Sequence, residues 1–300
     1  MPFPPEEVRV TWAPGPVVTR RRLGGELKRL REGAGLKLDA VARELECSPS
    51  KISRLENGKG IPKWRDVRDM LDVYGLGDGA DRERLLEWAQ TGRERRWWSG
   101  YSDVLEPGFD TYVELEWDAF RIHAYESRVV HGLLQTPDYA RAVLREAWKG
   151  RSEEEIERRV EVRLGRQAVL GVDHGLTFHC LLDESALYRV VGSPEILRGQ
   201  IDHLVDLAAA EHVDVRIVPF SAGLVLQSLE SFAKLEFSSA NDRGLIYVEA
   251  PTPTFLSEPA EVADFNEKLA SLTRVALRES DSVPLMQYAA RRSPSGAGVL

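Results

Sequence analysis

Two kinds of hydrophobic pattern divide the chain. From residue 19 to about residue 91, apolar residues recur every three or four positions in short segments, which is the period of amphipathic α-helices. After Tyr101, longer helical patterns alternate with short runs rich in β-branched and aromatic residues, which are typical of strands. The pattern therefore predicts an N-terminal all-α bundle followed by a C-terminal α+β domain with a sheet of about four strands.

Capping residues set the predicted bounds of the short helices. Thr19 is a candidate N-cap for a helix through RRRLGGELKRLREGAG. Ser48 and Pro49 begin the third helix, because serine is a good N-cap and proline is preferred at the first helical position, and Asn57-Gly58 end it. The other predicted helices of the bundle are LDAVARELE, KWRDVRDMLDVYG and DRERLLEWAQTGRERRWW.

The larger domain mixes both kinds of element. Its predicted helices are TYVELEWDAFRIHAYE, PDYARAVLREAW, SEEEIERRVEVRLGRQAVL, PEILRGQIDHLVDLAAAE and EPAEVADFNEKLASLTRVAL. Its predicted strands are LTFHCLLD, VDVRIVPF, SFAKLEF and GLIYVEA.

Composition narrows the class of protein. The chain has 43% hydrophobic and 29% charged residues, as globular proteins do, and no run approaches the roughly 20 apolar residues of a membrane span. Its first residues, MPFPPEEVRV, lack the basic and apolar segments of a signal peptide, so we expect a cytoplasmic protein. Two cysteines, Cys47 and Cys180, exclude a disulfide framework and a four-cysteine zinc site.

The charge is distributed unevenly. The chain carries a net charge of -8, yet residues 20 to 70 contain 14 basic and 8 acidic residues, a local net charge of +6. The remainder is therefore strongly acidic. Only the small helical module has the electrostatic character that phosphate binding requires.

Residues 38 to 57 meet the steric requirements of a helix-turn-helix. Two helices that cross steeply need a small residue at the crossing, which Ala42 supplies, and a shared apolar inner face. Helical spacing then places Ser50, Lys51, Ser53 and Arg54 on or near the outer face, which is short, polar and basic and fits the major groove of B-DNA. The apolar inner face consists of Val41, Leu45, Cys47, Ile52 and Leu55.

The stretch LRE...GLKLDAVARELECSPSKISRLENGK resembles the xenobiotic-response-element (XRE) class of helix-turn-helix regulators, which includes the phage repressors. The resemblance covers residues 23 to 75 and implies a lambda-repressor-like bundle in which residues 49 to 57 form the recognition helix. Glu46 departs from the family, whose turn has glycine there. A glutamate held in a left-handed conformation would cost about 1 kcal/mol.

The resemblance also implies roles for individual residues. Pro49, Ser50 and Arg54, with Lys51 close by, match base-contacting positions, whereas Ser48, Asn57 and Lys59 match phosphate-contacting positions. Arg31 matches an arginine that pairs with Glu56 and also contacts phosphate. The residues expected to support the recognition helix are Ala42, Ile52, Leu55 and Glu56.

Each of these residues also has a purely structural interpretation. Ser48-Pro49 would begin a helix in any protein, Lys51 and Arg54 could form a solvated face, and Arg31 with Glu56 could be a structural ion pair. Their combination on one face of a locally positive module favours DNA binding. A single recognition helix covers few base pairs, so we expect a homodimer that binds half-sites about 34 Å apart.

RVVHGLLQTPDYARAVL, with RRVEVRLGRQAVL, LLDESALYRVVG, RIVPF and YVEA, resembles the large C-terminal domain of antitoxin-like actinobacterial regulators. The resemblance implies no biochemical activity but suggests a small partner protein. An alternative function is therefore an antitoxin-like protein that mainly binds that partner and uses DNA binding for autoregulation. A small-molecule effector in an aromatic pocket also stays open.

No catalytic or metal constellation stands out. None of the histidines forms a pair with metal-ligand spacing on a helical face, Asp183-Glu184 is interpreted as a strand exit and helix cap, and no serine lies in a nucleophile elbow. We therefore expect no enzyme activity, no cofactor and no metal, and an enzyme with a DNA-targeting module stays open as a rival interpretation. The histidines considered are His123, His131, His174, His179 and His203.

These inferences define five segments. They are an irregular, proline-containing arm (1–18), a helix-turn-helix DNA-binding domain (19–78), a linker helix with an aromatic segment (79–110), an α+β domain for dimerisation and for ligand or partner sensing (111–290), and a disordered tail (291–300).

Overall fold

The computed structural model describes residues 16–58, 60–92, 97–106, 108–171, 175–223, 230–237, 244–249 and 254–292. The chain forms two compact units, Met1–Ser99 and Gly100–Leu300. Most of the expected N-terminal arm (1–18) and most of the expected tail (291–300) lie outside the described residues.

The N-terminal unit contains the five predicted helices. They are α1 (Pro16–Gly33), α2 (Leu38–Glu44), α3 (Pro49–Glu56), α4 (Trp64–Val73) and α5 (Ala80–Thr91). The predicted start of the first helix at Thr19 is wrong, because α1 begins at Pro16 and Thr19 is a buried residue inside it. Proline is well suited to a first helical position, since its missing N–H would have no partner there in any case.

One apolar core holds these five helices together. Leu27 of α1, Val41 of α2, Ile52 of α3, Met70 of α4 and Leu85 of α5 are all buried in it. The helical unit therefore includes α5, which the boundary predicted at residue 78 assigns to a linker.

The C-terminal unit combines six helices and six strands within its described residues. The helices are α6 (Phe109–Asp118), α7 (Pro137–Ala147), α8 (Glu153–Arg166), α9 (Pro194–Leu207), α10 (Pro259–Val275) and α11 (Glu279–Arg292). The strands are β1 (Arg121–Glu126), β2 (Thr177–Asp183), β3 (Val213–Val218), β4 (Phe232–Glu236), β5 (Leu245–Val248) and β6 (Thr254–Leu256).

The strands form one mixed sheet in the order β3-β2-β1-β4-β5-β6. β1, β2 and β3 are parallel and are connected through helices, whereas β4, β5 and β6 continue the sheet antiparallel to their neighbours. The helix α10 covers one face, where Val262 and Leu272 pack with residues of β1, β2, β4 and β5. The expectation of about four strands is an undercount.

The strand β1 lies at the centre of the sheet, yet its residues are predicted to be the end of a helix. The helix α6 stops at Asp118, Ala119 is extended (ψ 140°), and the strand begins two residues later at Arg121. No glycine or proline separates the two elements, so the sequence gives no local sign of the change. The predicted strands correspond to β2, β3, β4 and β5.

Among the described residues, no helix is both long enough and apolar enough to cross a lipid bilayer.

Candidate nucleic-acid interface

A tight turn with a left-handed residue joins α2 to α3. Glu46 has φ 49°, the one positive φ at a non-glycine position in the described chain. The N–H of Cys47 donates to the carbonyl of Ala42 (2.9 Å) and the N–H of Glu46 donates to that of Arg43 (3.3 Å), which is the Schellman pattern of a helix end. Glutamate therefore occupies the strained position that glycine fills without strain, and α2 ends sharply before α3.

Local capping fixes both ends of α3. The hydroxyl of Ser48 accepts a hydrogen bond from the N–H of Lys51 (3.3 Å), and Pro49 is the first helical residue. Gly58 closes the helix with φ 67°, and the Asn57 amide donates to the carbonyl of Ser53 (2.8 Å). The predicted bounds of this helix are confirmed.

The inner face of α3 is buried. Ile52 is 1% exposed and Leu55 is 6% exposed, and both pack in the core that contains Ala42 of α2. Burying two aliphatic side chains of this size contributes about 1.5 to 3 kcal/mol each. The orientation of α3 is therefore set by its apolar side.

A buried ion pair ties α3 to α1. The Arg31 guanidinium donates to both carboxylate oxygens of Glu56, from Nε to Oε1 (2.7 Å) and from Nη2 to Oε2 (3.0 Å), and its Nη1 donates to the carbonyl of Leu36 (2.8 Å). The Tyr74 hydroxyl donates to Oε1 of Glu56 (3.2 Å). The hydrogen bond to Glu56 raises the pKa of Arg31, and burial, followed by the charge of Glu56, raises the pKa of Tyr74. The network orients Arg31, whose contact with phosphate stays a prediction.

The outer face of α3 is polar and accessible. Within the described residues, the Arg54 side chain has neither an ion pair nor a hydrogen bond, so its guanidinium is available to a ligand. The Ser48 and Ser50 hydroxyls lie 3.0 Å apart at the start of the helix. The exposed residues of this face are Ser48, Pro49, Ser50, Lys51, Arg54 and Asn57.

Lys51 differs from Arg54 because it already has a partner. Its Nζ lies 2.9 Å from Oδ2 of Asp66 on α4, in a partly exposed ion pair. Such a pair is worth under about 1 kcal/mol, so a phosphate could displace the carboxylate. The sequence pattern does not predict this pairing, since the two residues belong to separate helices.

Gly24 of α1 is a buried residue that supports this surface from behind, and it is not among the site residues predicted from the sequence. A Cβ at this position of α1 would lie 2.6 Å from the carbonyl oxygens of both Leu55 and Glu56. The backbones of α1 and α3 are therefore in direct contact at Gly24. The signal in the sequence is Gly24-Gly25 in the interior of a helix, where glycine is unfavourable without a packing reason.

Lys59, the remaining candidate phosphate contact, lies outside the described residues. Its predicted contact with phosphate therefore rests on the resemblance alone.

Comparison with known families supports the division into two parts. Residues 22–85 match a helix-turn-helix domain, so the interface just described lies within a domain that indicates DNA binding. Residues 109–287 match the domain of unknown function DUF5753, which accounts for more than half of the chain. The chain belongs to the DUF5753 family. No curated protein and no solved structure matches this DUF5753 protein.

The helix-turn-helix match of the DUF5753 protein runs into α5. It thus includes Leu85, which lies in the core shared by α1 to α4. The matched segment and the packing agree that α5 is part of the helical domain.

Proposed function

We propose that this protein is a sequence-specific transcriptional regulator of the XRE class, with α3 in the major groove of its operator. The observation that carries the proposal is the outer face of α3, where Arg54 is exposed with no partner among the described residues while Ile52 and Leu55 hold the opposite face in the core. Arginine can donate two hydrogen bonds to guanine, and serine can contact several bases.

Arg54→Ala tests this proposal. We expect it to weaken binding to the selected operator by about 1 to 3 kcal/mol and to relax the preference for one base pair. The operator would first be selected from a random duplex pool, and affinities would then be measured by fluorescence anisotropy on that duplex and on a scrambled one. Arg84→Ala on α5 removes an exposed arginine that pairs with Asp81, and it should change neither affinity.

Equal losses on selected and scrambled duplexes would reject the base-contacting role of Arg54. Lys59→Ala should instead weaken binding to all duplexes alike and lower the slope of log affinity against log salt by about one, because it removes one phosphate contact.

The proposed C-terminal function is dimerisation and sensing. A two-fold dimer would place two copies of α3 on half-sites about 34 Å apart, so the selected sequences should be palindromic with that spacing. Sedimentation of the free protein and of its DNA complex would test the stoichiometry. One copy per operator would overturn the dimer.

The antitoxin-like resemblance of RVVHGLLQTPDYARAVL supports a second role, binding of a small partner protein, with DNA binding as autoregulation. Purification of the tagged chain from its native host tests this role, and the expected result is one small protein in stoichiometric amount. We propose a binding role rather than a catalytic one for this domain, and a cytoplasmic location, where a chromosomal operator is accessible.

A further inference from the structure

The C-terminal unit contains a cavity of about 360 Å³ at one end of its sheet. Glu126 is the last residue of β1, Ser231 precedes β4, Glu249 follows β5, and all three line the cavity. β1 is also where the strand order reverses, because the chain proceeds from β1 to β2 on one side and later returns to β4 on the other. The cavity thus lies at the carboxyl ends of β1 and β5, although β4 between them is antiparallel, and its volume is that of a small-molecule site.

One face of α8 lines this cavity with arginines. Arg159, Arg163 and Arg166 are spaced four and three residues apart, so they project from the same side of the helix. Arg166 is neutralised, because its Nε and Nη2 each donate to one carboxylate oxygen of Glu116 at 2.7 Å. The other two arginines have no carboxylate within ion-pair distance among the described residues.

Arg163 and Arg159 keep unused donors. Arg163 donates from Nη1 to Oε1 of Gln135 (2.9 Å), a neutral acceptor. Arg159 stacks on Trp148, with its guanidinium carbon 3.8 Å from the ring centroid, and its Nε is buried without a hydrogen-bond partner in the described structure. A buried guanidinium N–H without an acceptor is costly, and an anionic ligand would supply one.

The ionisable groups nearby balance the charge of these two arginines only in part. Burial, followed by the charge of Glu249, raises the pKa of Glu126 well above its usual value, which favours the uncharged form of this buried carboxyl. Burial, followed by Arg166 and Arg163, lowers the pKa of His131 to about 3, so His131 is neutral. Glu106 and Glu249 also line the cavity but are exposed to solvent, and the charge of Glu249, although it acts on Glu126 and Arg163, forms no ion pair with Arg159 or Arg163 among the described residues.

The rest of the wall is mainly apolar. Phe109, Leu144, Trp148, Val162 and Phe232 contribute hydrocarbon or aromatic surface. An apolar wall accommodates the body of an organic molecule but disfavours a small inorganic ion, which would lose its hydration without compensation. It also disfavours a phosphate dianion relative to a carboxylate, because the doubly charged group loses more hydration.

We propose that this cavity binds a small organic carboxylate, whose carboxylate accepts hydrogen bonds from Arg163 and Arg159 and whose apolar body packs on the wall formed by Trp148, Leu144 and Phe232. This inference deepens the proposed sensing function: the role of the ligand as a signal rests on that function, whereas its binding does not.

Matched probes test the chemistry on the full-length protein. 1-Naphthoate, indole-3-acetate and octanoate would each be compared with the corresponding primary amide by calorimetry, since each pair differs in charge but hardly in shape. At least one carboxylate should bind about tenfold more tightly than its amide, which corresponds to about 1.4 kcal/mol. 1-Naphthyl phosphate should bind more weakly than 1-naphthoate, and tighter binding of the phosphate would overturn the choice of a carboxylate.

Substitutions test whether the arginines cause the preference for carboxylate over amide. Arg163→Gln should abolish the preference for carboxylate over amide, and Arg163→Lys, which keeps the charge, should retain part of it. Arg159→Gln provides a second variant if Arg163→Gln does not fold, as judged by thermal unfolding. Arg198→Gln, an exposed arginine of α9 outside the cavity lining, is the control and should behave as the unmodified protein.

The inference is overturned if no carboxylate of the three pairs binds, if amides bind as tightly as carboxylates, or if the preference persists in both Arg163→Gln and Arg159→Gln. DNA affinity measured on the same samples separates the two proposals. Specific DNA binding without carboxylate binding would remove this inference alone, and carboxylate binding without specific DNA binding would remove the proposed regulatory function alone.

Discussion

Gly24 shows how much of the proposed DNA-binding geometry depends on one absent side chain. The position of a Cβ at Gly24, 2.6 Å from two carbonyl oxygens of α3, is closer than non-bonded atoms can approach. Any larger residue must push α3 away from α1. That displacement would also disturb the Arg31–Glu56 ion pair, which joins the same two helices.

Gly24→Ala is therefore expected to destabilise the N-terminal unit by about 1 to 3 kcal/mol, the usual cost of overpacking. Gly25→Ala is the matched control, since a Cβ there meets nothing within 4 Å. It should stabilise the helix by up to about 1 kcal/mol, because alanine favours helices over glycine. Urea unfolding of both variants measures the difference, and similar stabilities would contradict the close contact.

Glu46 is a second position at which a single residue affects the stability, here through its local backbone conformation. Its φ of 49° is strained for any residue with a Cβ, so Glu46→Gly should raise the free energy of unfolding by up to about 1 kcal/mol. Glu44→Gly, at the end of α2, should lower it, because glycine is a poor helix residue. Thermal unfolding of the two variants should shift in opposite directions, and a destabilised Glu46→Gly would show that the turn is not strained.

At the scale of elements, the sequence predicts the helices of the N-terminal unit better than the centre of the sheet, and it does not predict α11 (Glu279–Arg292). The helices of the N-terminal unit follow from capping residues and period, because Ser48, Pro49 and Gly58 act locally. The sequence does not predict β1, because its neighbours in the sheet decide its conformation. β1 lies between β2 and β4, whose residues come much later in the chain, and its residues Ile122 and Ala124 are buried there.

In the candidate site, too, features within one helix are predictable from the sequence, whereas contacts between helices are not. The period of α3 alone predicts that Ser50 and Arg54 face outward, and the structure places them there. The Lys51–Asp66 ion pair and the Gly24 contact were not predicted, because each depends on how separate helices approach one another. The arginines that line the cavity likewise lie on a predicted helix. The helix alone does not predict the cavity, because residues of the sheet form another part of its wall.

The helix α8 offers a direct comparison of a buried and an exposed ion pair. Arg166 pairs with Glu116 where both side chains are at most 5% exposed, whereas Arg158 pairs with Asp103 at the surface. Arg166→Met should cost about 3 to 5 kcal/mol, because Glu116 would remain buried and unpaired. Arg158→Met should cost under about 1 kcal/mol. Chemical denaturation measures both, and equal costs would contradict the assigned burial.

At the scale of the whole molecule, buried histidines should make stability depend on pH. Burial, followed by the charge of His179, lowers the pKa of His123 to about 4, and the pKa of His131 is lowered to about 3. The unfolded chain therefore binds more protons than the folded chain below the usual pKa of about 6.5, so these residues reduce stability as the pH falls. Glu126 opposes them, because its raised pKa makes the folded state retain a proton.

Burial also lowers the pKa of His203. Between about pH 6.5 and pH 4.5, each of these three histidines contributes a difference of at most about one proton, or roughly 1.4 kcal/mol per pH unit, and Glu126 offsets at most one of them. The free energy of unfolding should thus fall as the pH falls. His131→Asn should reduce this slope by at most about 1.4 kcal/mol per pH unit, as measured by urea unfolding at several pH values. An unchanged slope would show that His131 is not kept neutral in the folded state.

The direct backbone contact at Gly24 has a practical consequence for engineering the proposed operator preference. Ser50 and Arg54 point away from that contact, so a combinatorial library could randomise them to retarget the protein with little effect on folding. Position 24 must be excluded from such a library, although it would never touch a nucleotide.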